Sequence, residues 1–256
     1  MAKPRALILR TGGTNCDKET VFAFSQAGAE ADSLHIKALI ERREILKKIQ
    51  ILVFPGGFTY GDDVAAGRIL ANEIKSHLGE ELLDFINSDG AVLGICNGFQ
   101  VLVKSGLLPE HTLLKQEVTL TWNHSLKFED RWVALEIQKS PCIFVKGDGR
   151  MYLPVAHAEG RFDAPDDVVD RMEEGHQVVL RYAGRTKAAP AYPDNPNGSI
   201  NAIAGICDRT GRVFGLMPHP ERYCSHYSHP HWTRMGARPR PGDGVKIFKN
   251  AVQYYS

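Results

Sequence analysis

The chain has 256 residues, 43% hydrophobic and 24% charged, which is enough apolar side chain to bury a full core and too much for a disordered segment. Thirty-one Lys and Arg against thirty Asp and Glu leave a formal charge of +1, so no overall field draws the protein to nucleic acid or an anionic membrane. The five cysteines are odd in number and contain no CxxC pair, which argues against a disulfide framework or a four-cysteine zinc site and for reduced thiols.

Met1-Ala-Lys-Pro-Arg leads into a short strand-like run rather than a signal-length apolar stretch, and nowhere do eighteen apolar residues run together. The expected location is cytoplasmic. Short β-type runs at 6–9, 51–54 and 91–95 alternate with segments of helical spacing at 20–26 and 69–77. That order predicts an α/β fold with a mostly parallel sheet flanked by helices, in which ligands bind at the carboxyl ends of the strands. Further on, β-type runs at 132–137, 142–145, 151–156 and 178–182 predict hairpins added to the sheet margin. Segments 184–199 and 225–244 read as long loops, and 245–254 as a closing amphipathic helix. No linker or internal repeat divides the chain, so residues 1–256 are expected to form one domain.

The most informative motif is Gly94-Ile-Cys96-Asn-Gly-Phe-Gln100, which joins the third apolar run to a helix-compatible one. Gly-x-Cys-x-Gly has the spacing of a nucleophile elbow, where a strained strand-to-helix turn lifts the nucleophile out of the sheet. A thiol at the first turn of a helix also feels the positive end of the helix dipole, which favours thiolate. A cysteine nucleophile needs a base held by a third group. Two triplets compete for that task, His157-Ala-Glu159 and His219-Pro-Glu221, since residues i and i+2 of an extended segment share a face. Pro220 fixes the backbone between the second pair, and its preceding strand would end at the elbow's edge of the sheet, so that triplet fits better.

The turn Phe54-Pro-Gly-Gly-Phe58 offers unobstructed backbone N–H groups, and with the N–H of Asn97 it would make an oxyanion hole. The sequence contains no phosphate loop, dinucleotide turn or His-Glu-x-x-His zinc helix. The run Cys224-Ser-His-Tyr-Ser-His-Pro-His231 matches no common metal spacing, so no metal is expected, and a His-rich loop serves equally as a partner contact. These residues also fit a cysteine hydrolase or peptidase on a related α/β fold, or a silent binding subunit.

Pro55-Gly-Gly-Phe, the Cys96 elbow and Pro218-His-Pro-Glu221, in that order, resemble the class I (triad) glutamine amidotransferases. Thr14-Asn-Cys-Asp17, Gly56-Gly-Phe-Thr-Tyr-Gly-Asp62, Pro154-Val-Ala-His-Ala-Glu-Gly160, Asn197-Gly-Ser199 and Ile203-Ala-Gly-Ile206 are similar to its purine-biosynthetic branch, the glutaminase subunits of phosphoribosylformylglycinamidine synthases. The resemblance implies a flavodoxin-like fold with Cys96 as nucleophile and His219 and Glu221 completing the triad. It implies L-glutamine as substrate, with Gly57, Asn97 and Gln100 on the substrate and oxyanion side. It implies no cofactor in this chain, ATP and Mg being used by a partner synthetase subunit, with a small accessory subunit as a further partner. His157 and Glu159 are left as a signature in the wall of the site or the partner face. Another amidotransferase pathway is the alternative, since the glutaminase half-reaction is common to all. The charged turn at 125–131 and the long basic loop at 224–243 depart from a minimal member.

Overall fold

The computed structural model describes residues 3–111, 115–184, 190–236 and 240–256. In chain order the strands are β1 (Arg5–Arg10), β2 (Glu30–His35), β3 (Ile51–Phe54), β4 (Ala91–Ile95), β5 (Thr119–Thr121), β6 (Glu129–Ile137), β7 (Arg150–His157), β8 (Arg161–Asp163), β9 (Val178–Tyr182), β10 (Ile203–Cys207) and β11 (Val213–Leu216). The helices are α1 (Asp17–Ala27), α2 (Ile36–Glu41), α3 (Arg68–Asn87), α4 (Asn97–Ser105), α5 (Asp166–Glu174) and α6 (Val245–Tyr254).

Nine strands form one sheet in the order β2-β1-β3-β4-β11-β10-β9-β6-β7. The five from β2 to β11 are parallel, and the apolar runs of β3, β4 and β11 are buried along their whole length, as strands covered on both faces must be. From β11 onward the neighbours are antiparallel, and the β6–β7 hairpin closes the far edge. This is the expected parallel core with hairpins at its margin. β5 and β8 pair as a separate two-stranded ribbon.

Helices flank the sheet in packed pairs, α1 with α6 and α3 with α4. Phe24 of α1 meets Phe248 of α6 edge-on at 4.9 Å, a geometry that suits the ring quadrupoles. Among the described residues, no helix is long and apolar enough to cross a membrane.

Residues 142–145 are not a strand. Their backbone bonds leave the ladder, with Ile143 N–H donating to Gly211 O at 2.9 Å and Phe144 O accepting from Asn250 Nδ2 at 2.9 Å. The run is apolar because it is buried, with Phe144 against Phe214 at 5.8 Å, and an apolar run of four specifies burial before it specifies a strand. The predicted loops at 184–199 and 225–244 fall partly outside the described residues. The parts described are irregular apart from short 3-10 turns such as His226–Ser228 and Trp232–Arg234.

Candidate active site

Four parallel strands deliver the loops that meet at the carboxyl edge of the sheet: 11–16 after β1, 55–67 after β3, the elbow after β4 and 217–222 after β11. Cys96 stands alone between β4 and α4, with φ 50° and ψ −103°. A non-glycine residue held in this region costs about 1–3 kcal/mol and persists only where its surroundings over-determine it. Here they do. Its N–H donates to Leu216 O of β11 at 2.8 Å, and its carbonyl accepts the N–H of Gln100 at 3.1 Å as the first bond of the helix. The elbow's second glycine allows the helix to lie close, since a Cβ on Gly98 would sit 1.8 Å from the Phe54 carbonyl oxygen of β3. Cys96 is 5% exposed, and its thiol points toward Ala156 O, 3.7 Å away.

Pro220 opens a 3-10 turn, Pro220–Arg222, immediately after His219, and this turns the side chains of His219 and Glu221 toward each other. His219 Nδ1–H donates to Glu221 Oε1 at 2.6 Å, which leaves Nε2 buried and without a protein partner among the described residues. Burial alone would lower the His219 pKa; the Glu221 carboxylate reverses that, with further help from Cys96, and holds it well above the ordinary value. A Cβ on Gly56 would lie 2.7 Å from the His219 ring, so only glycine leaves room for the imidazole there.

The competing triplet is built differently. His157 Nδ1 faces Asn123 Oδ1 at 3.1 Å, and that oxygen also accepts the Gly160 N–H at 3.0 Å, so Nδ1 carries the proton. Glu159 turns away to Lys104, 3.5 Å distant. Burial, then the positive His219, push the His157 pKa down to about 3. The unfolded chain protonates this residue near pH 6.5 and the fold does so only near 3, so its stabilising contribution is present above pH 6.5 and falls as pH drops through that window. The slope is about 1.4 kcal/mol per pH unit. Thermal melts of His157→Gln against pH are expected to show a flatter acid limb than wild type; an unchanged limb would assign the acid sensitivity to other groups.

Gly57, Cys96 and Gln100 line one cleft of about 280 Å³, together with Phe58, Asp62, Trp122 and Glu159. The Asn97 side chain points elsewhere. Its Oδ1 accepts from Thr59 Oγ1 at 2.7 Å and its Nδ2 donates to Asp62 Oδ1 at 3.1 Å, tying the 55–67 loop to the elbow and leaving only its backbone N–H for the cleft. Gln100 donates its amide to the Glu159 carbonyl and accepts from Asn97 Nδ2 at 3.0 Å.

Sequence reasoning gave no role to Cys16, which the structure places against the triplet. Its sulfur is 3.9 Å from His219 Nδ1 and accepts from Arg222 Nη2 at 3.2 Å. Cys16, His219 and Glu221 are the one group of three potential metal donors among the described residues, yet they are already bonded to one another or to a guanidinium. The signals for Cys16 were its place in the turn after β1 and in the Thr14-Asn-Cys-Asp17 block of the resemblance, neither of which points to His219. In the His-rich run, the Cys224 thiol donates to Pro220 O at 3.4 Å and His229 packs against Trp132, Tyr152 and Tyr223.

Comparisons with known proteins agree with this geometry. The model of the CobB/CobQ-like glutamine amidotransferase domain matches residues 3–255. The phosphoribosylformylglycinamidine synthase subunit PurQ of Dehalococcoides mccartyi is 47% identical over 99% of this chain and 98% of its own length. The subunit of that name from Archaeoglobus fulgidus is 42% identical, over 98% and 96%. Among solved structures, a chain of PurLQS from Thermotoga maritima superposes with a TM-score of 0.76 at 30% identity, covering all of both chains. A match of this extent, over a fold that puts a cysteine elbow beside a His–Glu pair, means that the chain belongs to the CobB/CobQ-like glutamine amidotransferase family, in the branch of the PurQ subunits.

Proposed function

We propose that this protein is the glutaminase subunit of a phosphoribosylformylglycinamidine synthase. It hydrolyses L-glutamine to glutamate and ammonia and passes the ammonia to a synthetase subunit that uses ATP and Mg to convert formylglycinamide ribonucleotide to the amidine. The observation that carries the chemistry is the 2.6 Å His219–Glu221 bond on the same sheet edge as the strained Cys96 elbow. The pathway rests on whole-length similarity to PurQ subunits, and the PurLQS match supports a multi-subunit assembly. We read residues 1–256 as one domain, in keeping with the contiguous core among the described residues, and its location as cytoplasmic.

The Cys96 thiolate adds to the side-chain amide carbon of glutamine, and backbone N–H groups at Gly57 and Asn97 receive the developing oxyanion. His219, kept protonated by Glu221, gives its Nε2 proton to the amide nitrogen; the C–N bond breaks and ammonia leaves, with a γ-glutamyl thioester on Cys96. Neutral His219 then takes a proton from water, hydroxide attacks the thioester, and glutamate departs with the thiolate restored. Gln100 fixes the cleft wall on the substrate side.

Glutamate release should be measured for the purified protein alone and with a formylglycinamide ribonucleotide synthetase, its substrate and ATP. Strong stimulation by the complete system is expected, because a site completed on docking avoids wasted ammonia. Inactivity in a complex shown to form would remove the pathway assignment, and peptide cleavage in place of glutaminase activity would favour a cysteine peptidase.

A further inference from the structure

The elbow helix carries a buried polar stripe. Asn97, Gln100 and Lys104 recur at the three- and four-residue spacing of one helical face, on a helix whose Phe99, Val101, Leu102 and Val103 are core residues. Buried polar groups must find partners, and all three find them in the segments that wall the cleft. Asn97 holds Thr59 and Asp62, and Gln100 holds the Glu159 carbonyl. Lys104 does more: its ammonium donates to the Ala66 carbonyl and lies 3.5 Å from Glu159 Oε2, and the same carboxylate oxygen accepts the Ala66 N–H at 3.3 Å. These contacts form a closed ring through residue 66 on one wall, residue 159 on the other and the helix beneath. Ala66 and Glu159 line the cleft, whereas Lys104 does not.

The Lys104 and Glu159 side chains are 4% and 13% exposed. Taking two charges this far out of water offsets most of their mutual attraction, so the pair is a poor source of stability, and its evident effect is geometric. We propose that Lys104 and Glu159 are a positioning pair that fixes the separation of the two cleft walls, and with it the affinity for glutamine, while taking no part in acyl transfer at Cys96. The inference rests on the glutaminase reading above. His157-Ala-Glu159, which supplies no base–carboxylate pair, thereby gains a role: its carboxylate braces the cleft through Lys104 and Ala66.

The test is covalent labelling of Cys96 in the full-length protein by a diazoketone analogue of glutamine, with the rate followed against analogue concentration. In Lys104→Met the half-saturating concentration is expected to rise about tenfold, with the limiting rate within about twofold, since uniform binding is lost and the reacting groups are untouched. Lys104→Arg, which keeps a charged donor for both Ala66 O and Glu159, should recover most of the affinity. Glu159→Gln preserves volume, is expected to shift half-saturation in the same direction, and decides the matter if Lys104→Met fails to fold in a thermal melt. Unchanged half-saturation in the folded variants, or a loss confined to the limiting rate, overturns the proposal. Absence of labelling in wild type, both free and in complex with the synthetase subunit, would instead strike the glutaminase reading itself.

Discussion

Cys96→Ser in the complex with the synthetase subunit is expected to lower glutamine-dependent amidine synthesis by about 10⁴-fold or more, the scale on which loss of a covalent nucleophile is felt. Synthesis from added ammonium should stay close to wild type. Serine is the stringent choice: it preserves the shape of a residue held at φ 50°, so the elbow and the β4–β11 junction should stay intact while the hydroxyl remains un-ionised. A Cys96→Ser enzyme that kept glutamine-dependent activity would show that another thiol attacks, and Cys16, 3.9 Å from His219, would be the first to examine. Loss of ammonia-dependent synthesis as well would mean that the two half-reactions are not divided between the chains as proposed.

Glu221→Gln should be nearly as damaging, about 10³- to 10⁴-fold in kcat, by analogy with triads whose carboxylate is replaced by its amide. Two effects add. An amide at 2.6 Å can present its NH₂ to Nδ1 and invert the tautomer, which would place the proton on the wrong nitrogen. The charge that opposes burial at His219 also disappears, so its pKa must fall. His219 supplies the proton to leaving ammonia, so the basic limb of the pH profile for thioester formation should move to lower pH in Glu221→Gln. A basic limb at its wild-type position would separate that ionisation from His219.

The central strands were legible because they bury both faces. Residues 51–54, 91–95 and 178–182 are apolar runs bounded by turn residues, and they form strands over those same residues. β2 was not legible: Glu30-Ala-Asp-Ser-Leu-His35 is an edge strand, half-solvated, with no apolar run to announce it. α5 was missed for a related reason, since its acidic sequence presents only Val168, Val169 and Met172 to the core. Of the site, the elbow and the His–Pro–Glu triplet are local motifs whose spacing carries their geometry. Ala66 and Arg222, which bond Lys104 and Cys16, are not local. They come from loops 38 and 206 residues away along the chain, and no periodicity records such a meeting.

The insertion of β11 beside β4 has a consequence for the nascent chain. Strands β1, β3 and β4 are synthesised early and are next to one another in the sheet, but the strand that carries His219 emerges about 120 residues after Cys96 and pairs with β4 at Leu216–Ile95. Long-range parallel pairing of this kind is slow to form. Until β11 pairs with β4, Cys96 has no proton donor beside it, because His219 and Glu221 lie just beyond that strand. A chain that stopped short of β11 would lack both, and with them the proton transfer that the proposed hydrolysis requires.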